Sequence, residues 1–399
     1  MGGFAKLTSL IVASTFLNLL VRATHNSYHI APREELLQKV MSNPLVKALL
    51  PESDFLPAAW EYTHLALDQQ LDLGVRGFEL DLHADPLGGL YAQAAGLRLA
   101  GVSGWLDIPE LQEPGFKVLH VPDLDFNATC YTLKSCLAGI KRWSDAHPQH
   151  LPISIYMESK RPIDLSGVLG DAAQSIVKTL LASSTAPGPD RLLIQTPLLN
   201  TTLLADLEDE ILAVFNRSSL VTPDDVRAGN PSVDLKELLL ADPTSGPCPW
   251  PPLDLMRGKI LFIMTLRSDG DVAMYEELHP NQEGALMWLV ASRRSPQRQA
   301  VFYLGADYDI ALDNFTLPQN ASAIVEQMAG TVRSMVQQGY IVRARVDAET
   351  LEARQDYVFR RDALLAAGAH HIATDYPLPS QIFTSPYKVD APGANYGLL

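Results

Sequence analysis

Thr-His-Asn-Ser-Tyr-His at 24–29, Glu-Leu-Asp-Leu-His at 79–83 and Tyr-Met-Glu-Ser-Lys at 156–160 put imidazoles beside carboxylates and an amide at the ends of predicted strands. Imidazoles exchange protons near neutral pH, and carboxylate and amide oxygens are hard ligands that hold calcium or magnesium. The pattern suits a metal-assisted enzyme. His120 closes the strand Lys-Val-Leu-His and Asp375 closes His-Ile-Ala-Thr-Asp, so acidic or imidazole groups recur at the ends of separate strands.

Strand geometry sharpens these motifs, because alternate residues point to opposite faces. Glu79, Asp81 and His83 share one face, and Phe78, Leu80 and Leu82 share the other. Tyr156, Glu158 and Lys160 alternate with Ile155, Met157 and Ser159 in the same way. If the apolar sets pack under helices, the polar sets must face a barrel axis. A single inward carboxylate or histidine is as readily a structural ion pair or a hydrogen-bonded core group; a constellation at one barrel face points to catalysis. His29, His64, His147, His150, His279 and His370 stand outside this pattern, and most of them read as loop or surface residues.

The elements that must position these groups are short apolar runs at 17–23, 75–83, 116–121, 152–158, 259–266, 300–305, 340–346 and 371–376. Helical spacing falls between them at 34–49, 58–73, 132–146, 165–183, 205–215, 281–293, 321–338 and 348–367. Strand then helix, eight times, with no Gly-x-Gly-x-x-Gly after the first strand, predicts a single α/β domain, a (β/α)8 TIM barrel, over an open doubly wound sheet. The stretch 186–258, with Pro-Gly-Pro and the Pro-rich surroundings of Cys248, reads as an elaborated loop with short helices.

A chain of 399 residues with 47% apolar residues can bury a large core, and its formal charge of −15 disfavours a basic groove for nucleic acid or a general attraction to anionic lipid. Any membrane contact is local. Residues 1–16 read as a leader, with Lys6 ahead of an apolar run too short to span a bilayer and small residues at Ala13 and Ser14; the domain then runs 17–399. The alternative is a truncated or mis-started N-terminus, since 17–23 also fits a buried strand. Sequons at Asn127, Asn200, Asn216, Asn314 and Asn320 favour secretion and glycosylation. Cys130 and Cys136 lie close enough to form a disulfide in an oxidising compartment, which leaves Cys248 over. No zinc spacing and no Gly-rich phosphate loop occurs, so neither zinc nor a nucleotide cofactor is expected.

Taken in order, Thr-His-Asn-Ser-Tyr, Phe-Glu-Leu-Asp, Lys-Val-Leu-His, Trp-Ser-Asp-Ala-His-Pro with the strand to Glu158, Gly-Lys-Ile-Leu-Phe and Ala-Thr-Asp-Tyr-Pro-Leu-Pro resemble the calcium-dependent phosphatidylinositol-specific phospholipase C family, in its secreted microbial branch. The resemblance runs from about residue 17 to 379. It implies a distorted (β/α)8 barrel that cleaves the glycerol–phosphate bond of phosphoinositide lipids at a membrane surface. It also implies His25 as the base for the inositol 2-hydroxyl, His120 as the acid for the departing diacylglycerol, and Asn26, Glu79, Asp81 and Glu158 as calcium ligands. His83 competes with His120 for the second role, but would crowd the cation. His83, Lys160, Arg343 and Asp375 are candidate substrate contacts, with a structural salt bridge the alternative for Lys160 and Arg343. Trp60, Trp105 or Trp250 could meet the membrane at the rim or belong to the core.

Two rivals remain. A glycerophosphodiester phosphodiesterase shares the barrel, the cation and the two histidines, but resembles His-Arg-Gly where this chain has His25-Asn26-Ser27. A secreted binding protein on a catalytically retired barrel is the other, and the intact set of proton-transfer and oxygen-ligand residues speaks against it.

Overall fold

The computed structural model describes residues 19–42, 56–101, 103–161, 194, 196–227, 230, 232–239, 250–266, 268–291, 302–305 and 317–390. Eight parallel strands form a closed barrel: β1 (Val21–Thr24), β2 (Gly77–His83), β4 (Ile153–Ser159), β5 (Ile260–Thr265), β6 (Met287–Ala291), β7 (Phe302–Gly305), β8 (Ile341–Arg345) and β9 (His371–Thr374). The barrel closes where β1 pairs with both β9 and β2. The β1–β2 seam is tight: a Cβ on Gly77 would lie 2.6 Å from that of its register partner Ala23, so only glycine fits.

Period-two alternation sorts each strand. Phe78, Leu80, Leu82, Ile155, Met157, Phe262, Met264, Met287, Leu289, Val342 and Ile372 are buried in one large cluster beneath the helices. Inside the barrel, Tyr156, Leu261, Ile263, Trp288, Phe302 and Ile341 form a second cluster, with Trp250 stacked on Trp288 at 5.1 Å. Trp250 is therefore core. Helix Leu133–Ala146 shows how the outer layer is specified: the Thr132 hydroxyl accepts from the Ser135 amide to cap it, and Leu133, Cys136, Leu137, Ile140 and Trp143 fall on its buried face. Trp143 Nε1 donates to Asp72 Oδ1 at 2.7 Å, which ties this helix to helix Leu67–Asp72.

Two sequence assignments exchange places. The run 116–121 contributes only Lys117–Val118 (β3), antiparallel to β2 and outside the barrel, where it covers the β2 edge that β1 leaves beyond Gly77. The run 281–293, read as a helix, contains barrel strand β6. Met287, Trp288 and Leu289 are buried on alternate faces, and the run Met287-Trp-Leu-Val-Ala lacks the polar alternation that marks a half-buried strand. The helix ahead of it is Asp269–Leu278, capped by Ser268.

The helical readings 58–73 and 348–367 each divide in two, into Leu56–Ala59 and Leu67–Asp72, and into Leu351–Arg354 and Phe359–Ala366. Described parts of the stretch 186–258 hold helices Thr201–Leu212, Pro223–Val226, Leu235–Leu239 and Leu253–Met256. The leader 1–16, the helical reading 165–183, Asn314 and Cys248 lie outside the described residues. Cys130 and Cys136 are joined in a disulfide.

Candidate active site

His25 follows the last residue of β1, and its amide donates to the Thr374 carbonyl of β9 at 3.1 Å. Its Nδ1 meets Asp375 Oδ1 at 2.8 Å. A carboxylate only accepts, so Nδ1 carries the hydrogen and the lone pair sits on Nε2, 4.0 Å from Glu79 Oε2. Burial, helped by the guanidinium groups of Arg345 and Arg343, pushes His25 well below the usual imidazole range although Glu79 opposes it. The ring is thus neutral at pH 7. Asp375 is buried, with Arg345 Nη2 3.4 Å from its other oxygen.

Glu79 and Asp81 from β2 and Glu158 from β4 converge, with one oxygen of each within 4.8 Å of the others. Registers place Asp81 opposite Glu158 across the strand pair. Burial would raise the Glu79 carboxyl, but Arg343, 2.5 Å away, and His25 hold it below its usual value. Burial, with the like charges of Glu158 and Glu79 and against Lys160, pushes Asp81 up to about 6. Lys160 Nζ lies 2.7 Å from Asp81 and 2.6 Å from Glu158. Neither oxygen of the fully buried Asp81 makes a hydrogen bond of good geometry. Asn26 joins the group at φ 41°, a left-handed conformation that asparagine tolerates, and its Nδ2 donates to the Tyr62 hydroxyl at 2.9 Å.

Asp125 Oδ2 takes both His120 Nδ1 and His29 Nε2 at 2.7 Å. His29 also contacts the Tyr62 carbonyl through Nδ1 at 3.0 Å. Both of its nitrogens face acceptors, so the ring donates twice. Burial opposes this, but Asp125 raises His29 above its ordinary value. His29 is fully buried and stacks on Tyr62, so it anchors the Asp125 carboxylate beneath His120. The His120 ring stands edge-on to Trp60, with centroids 5.8 Å apart.

These groups line one cleft of about 360 Å³, walled by His25, Asn26, Trp60, Tyr62, Glu79, His120, Glu158, Lys160, Arg343, Arg345 and Glu349. Of the sequence candidates, His25, Asn26, Glu79, Glu158, Lys160, Arg343 and His120 reach it directly; Asp81 lies under Lys160 and Asp375 under His25. His83 does not reach it. Both its nitrogens are engaged, by Thr196 Oγ1 and by the Leu119 carbonyl, at 2.9 Å each, and burial pushes it down to about 3. Arg345, Tyr62, Asp125 and His29 belong to the site and escaped the sequence reading. Arg345 carried a signal, since it shares the β8 face of Arg343 two residues away. Asp125 lies five positions from His120, whereas its other partner, His29, is 96 positions distant and leaves no local pattern.

A family model described as phosphoinositide phospholipase C, Ca2+-dependent, matches residues 16–397. The chain belongs to this family. Calcium is its cofactor, and the converging carboxylates of Glu79, Asp81 and Glu158 are hard oxygen donors that fit that ion. No curated protein sequence matches the chain. Among solved structures, a calcium-dependent phosphoinositol-specific phospholipase C from the Gram-negative bacterium Pseudomonas sp is 16% identical, with 94% of this chain and 96% of that chain covered and a TM-score of 0.48. A Ca2+-dependent phosphatidylinositol-specific phospholipase C from Streptomyces antibioticus is 16% identical over 94% of this chain and 99% of that one, at TM-score 0.45. The phosphatidylinositol-specific phospholipase C of S. aureus is 10% identical over 94% and 91%, at TM-score 0.41.

Proposed function

We propose that this member of the family cleaves phosphatidylinositol at the bond between phosphorus and the glycerol oxygen. The observation that carries the reading is the pair of histidines, each held through Nδ1 by a carboxylate, that line one cleft together with the converging acidic groups. His25 Nε2 takes the proton of the inositol 2-hydroxyl, whose oxygen attacks phosphorus while the phosphorus–glycerol oxygen bond breaks. His120 gives its Nε2 proton to that departing oxygen. Diacylglycerol leaves, and the inositol phosphate is cyclic until a water, deprotonated by His120, opens it. Nucleophile and electrophile belong to one molecule, worth an effective molarity on the order of 10⁵ M or more. Asn26, Glu79, Asp81 and Glu158 would hold calcium, whose charge stabilises the phosphoryl oxygens when it is bound.

Asp375 fixes the tautomer of the base, and Asp125 orients the acid. Arg343, Arg345 and Lys160 are each paired with a carboxylate of the site, which favours plain inositol over headgroups carrying further phosphates. Secretion, with residues 1–16 as leader, is supported by the Cys130–Cys136 disulfide and by the exposure of the sequon residues Asn200, Asn216 and Asn320. Among the described residues no helix is long and apolar enough to cross a membrane.

The test is release of water-soluble inositol phosphate from phosphatidylinositol vesicles, in calcium and in chelator. Calcium-dependent release is expected. Turnover of glycerophosphoinositol with no action on vesicles would overturn the reading in favour of a soluble-diester enzyme.

A further inference from the structure

Next to the catalytic cleft lies a second concavity, of about 260 Å³, where helix Glu34–Met41 and helix Ala95–Leu99 face the segment 124–127 and the exposed Trp105. Its walls are mainly apolar: Leu36, Val40, Leu97, Trp105, Leu124 and Phe126. Trp105 is 61% exposed, a large aromatic surface for a residue that lines a groove.

The groove and the cleft share a wall. Leu37 and Val40, which line the groove, pack in one buried cluster with Ala59 and Trp60, which line the cleft, and Leu124 packs against the same cluster. A single segment of chain also serves both. His120 faces the cleft, Asp125 grips it, and Leu124 and Phe126 on either side of Asp125 line the groove. Trp60, a member of that shared cluster, stands edge-on to His120.

We propose that this groove binds an acyl chain of the lipid substrate. The inference rests on the proposed role of His120: if that ring protonates the glycerol oxygen, the diacylglycerol begins beside His120 and Trp60. The apolar concavity that shares that wall is the one that receives its hydrocarbon. The cleft itself is lined mostly by polar and charged side chains, with Ala59, Trp60, Tyr62 and Leu304 the apolar or aromatic exceptions, and offers the chain less apolar surface than the groove. Burying hydrocarbon there gives the enzyme a grip on the leaving group that a headgroup-only site lacks.

Dispersed short-chain phosphatidylinositols, dibutanoyl and dihexanoyl, compared below their aggregation concentrations, test this against Trp105→Ala and Leu36→Glu, with glycerophosphoinositol as the chainless control. For the native enzyme kcat/KM should rise by roughly fourfold per methylene that enters the groove. Both variants should flatten that rise and leave turnover of the chainless control unchanged. Loss of activity on vesicles alone, with the short-chain series intact, would mean that Trp105 meets the bilayer and would overturn the proposal. Equal loss on the control would make the groove a structural feature and would overturn it too. Dihexanoylglycerol binding, followed by tryptophan fluorescence, separates this inference from the catalytic reading. Binding that Leu36→Glu abolishes supports the groove even if no lipid is cleaved, and absence of binding to the native protein sinks it.

Discussion

Inside the barrel, one side differs sharply from the other. Strands β1, β2, β4, β8 and β9 lead inward-facing His25, Glu79, Asp81, Glu158, Arg343, Arg345 and Asp375 toward the cleft, whereas β5, β6 and β7 turn Leu261, Ile263, Trp288 and Phe302 to the axis. Only Thr265 and Leu304 of that second side reach the cleft wall. The apolar side fills the barrel and fixes the strand registers. The polar side gathers charges that cannot be buried singly, and each is offset by a neighbour: Glu79 by Arg343, Asp81 by Lys160, Asp375 by Arg345. Tyr156 of β4 and Ile341 of β8 also pack into the apolar filling, two residues before Glu158 and Arg343, so the division falls along each strand as well as between strands, and substitutions should sort by whether a side chain fills the barrel or lines the cleft.

The largest effect is expected on the polar side. His25→Ala should lower kcat on phosphatidylinositol by about 10³-fold, within the range for a general base, while thermal unfolding stays near that of the native protein. On the apolar side, Trp288→Ala removes a buried ring that stacks on Trp250 and donates to the Val221 carbonyl at 2.8 Å. Denaturant unfolding should show a loss of about 3–5 kcal/mol, with calcium affinity of the folded protein preserved. A calcium affinity that collapsed with Trp288 would erase the distinction between the sides.

Asp375→Asn sharpens the comparison within the polar side. It leaves the His25 ring in place but no longer enforces the hydrogen on Nδ1, so steady-state kinetics should show kcat about 10²-fold lower with KM little changed. A smaller effect follows from Asp81, whose carboxyl is pushed up to about 6. Proton and calcium compete for it, so calcium affinity should fall as pH drops through that value, by about tenfold between pH 7 and 5 in a calorimetric titration. The acid limb of the activity profile should not follow His25, which burial holds below the ordinary imidazole value and so keeps neutral as pH falls.

The same contrast explains what could be read from the amino acids. On the polar side, period-two alternation exposed Glu79, Asp81 and Glu158, because a carboxylate facing a barrel axis has no packing role to explain it. On the apolar side, Met287, Trp288 and Leu289 are buried on alternate faces and the run Met287-Trp-Leu-Val-Ala has no polar alternation, so its pattern does not separate strand from helix; it reads as helix, and 116–121 reads as the eighth strand in its place. Cleft residues on loops were least legible. Tyr62 sits between short helices, and His29 acts through Asp125, a pairing that only the closed barrel creates. His83 shows the converse: its strand parity matches Asp81, yet β2 runs past the cleft and its ring is spent on Thr196 and Leu119.

The division of labour between the two histidines is the central claim, and a leaving-group experiment tests it most directly. Inositol phosphate release would be measured with a phosphatidylinositol diester and with a 4-nitrophenyl inositol phosphate, whose phenolate departs without a proton. The account predicts that His120→Ala is severely impaired on the lipid and recovers most of its rate on the activated ester, while His25→Ala stays impaired on both. Equal recovery of the two variants, or recovery of His25→Ala alone, would contradict it.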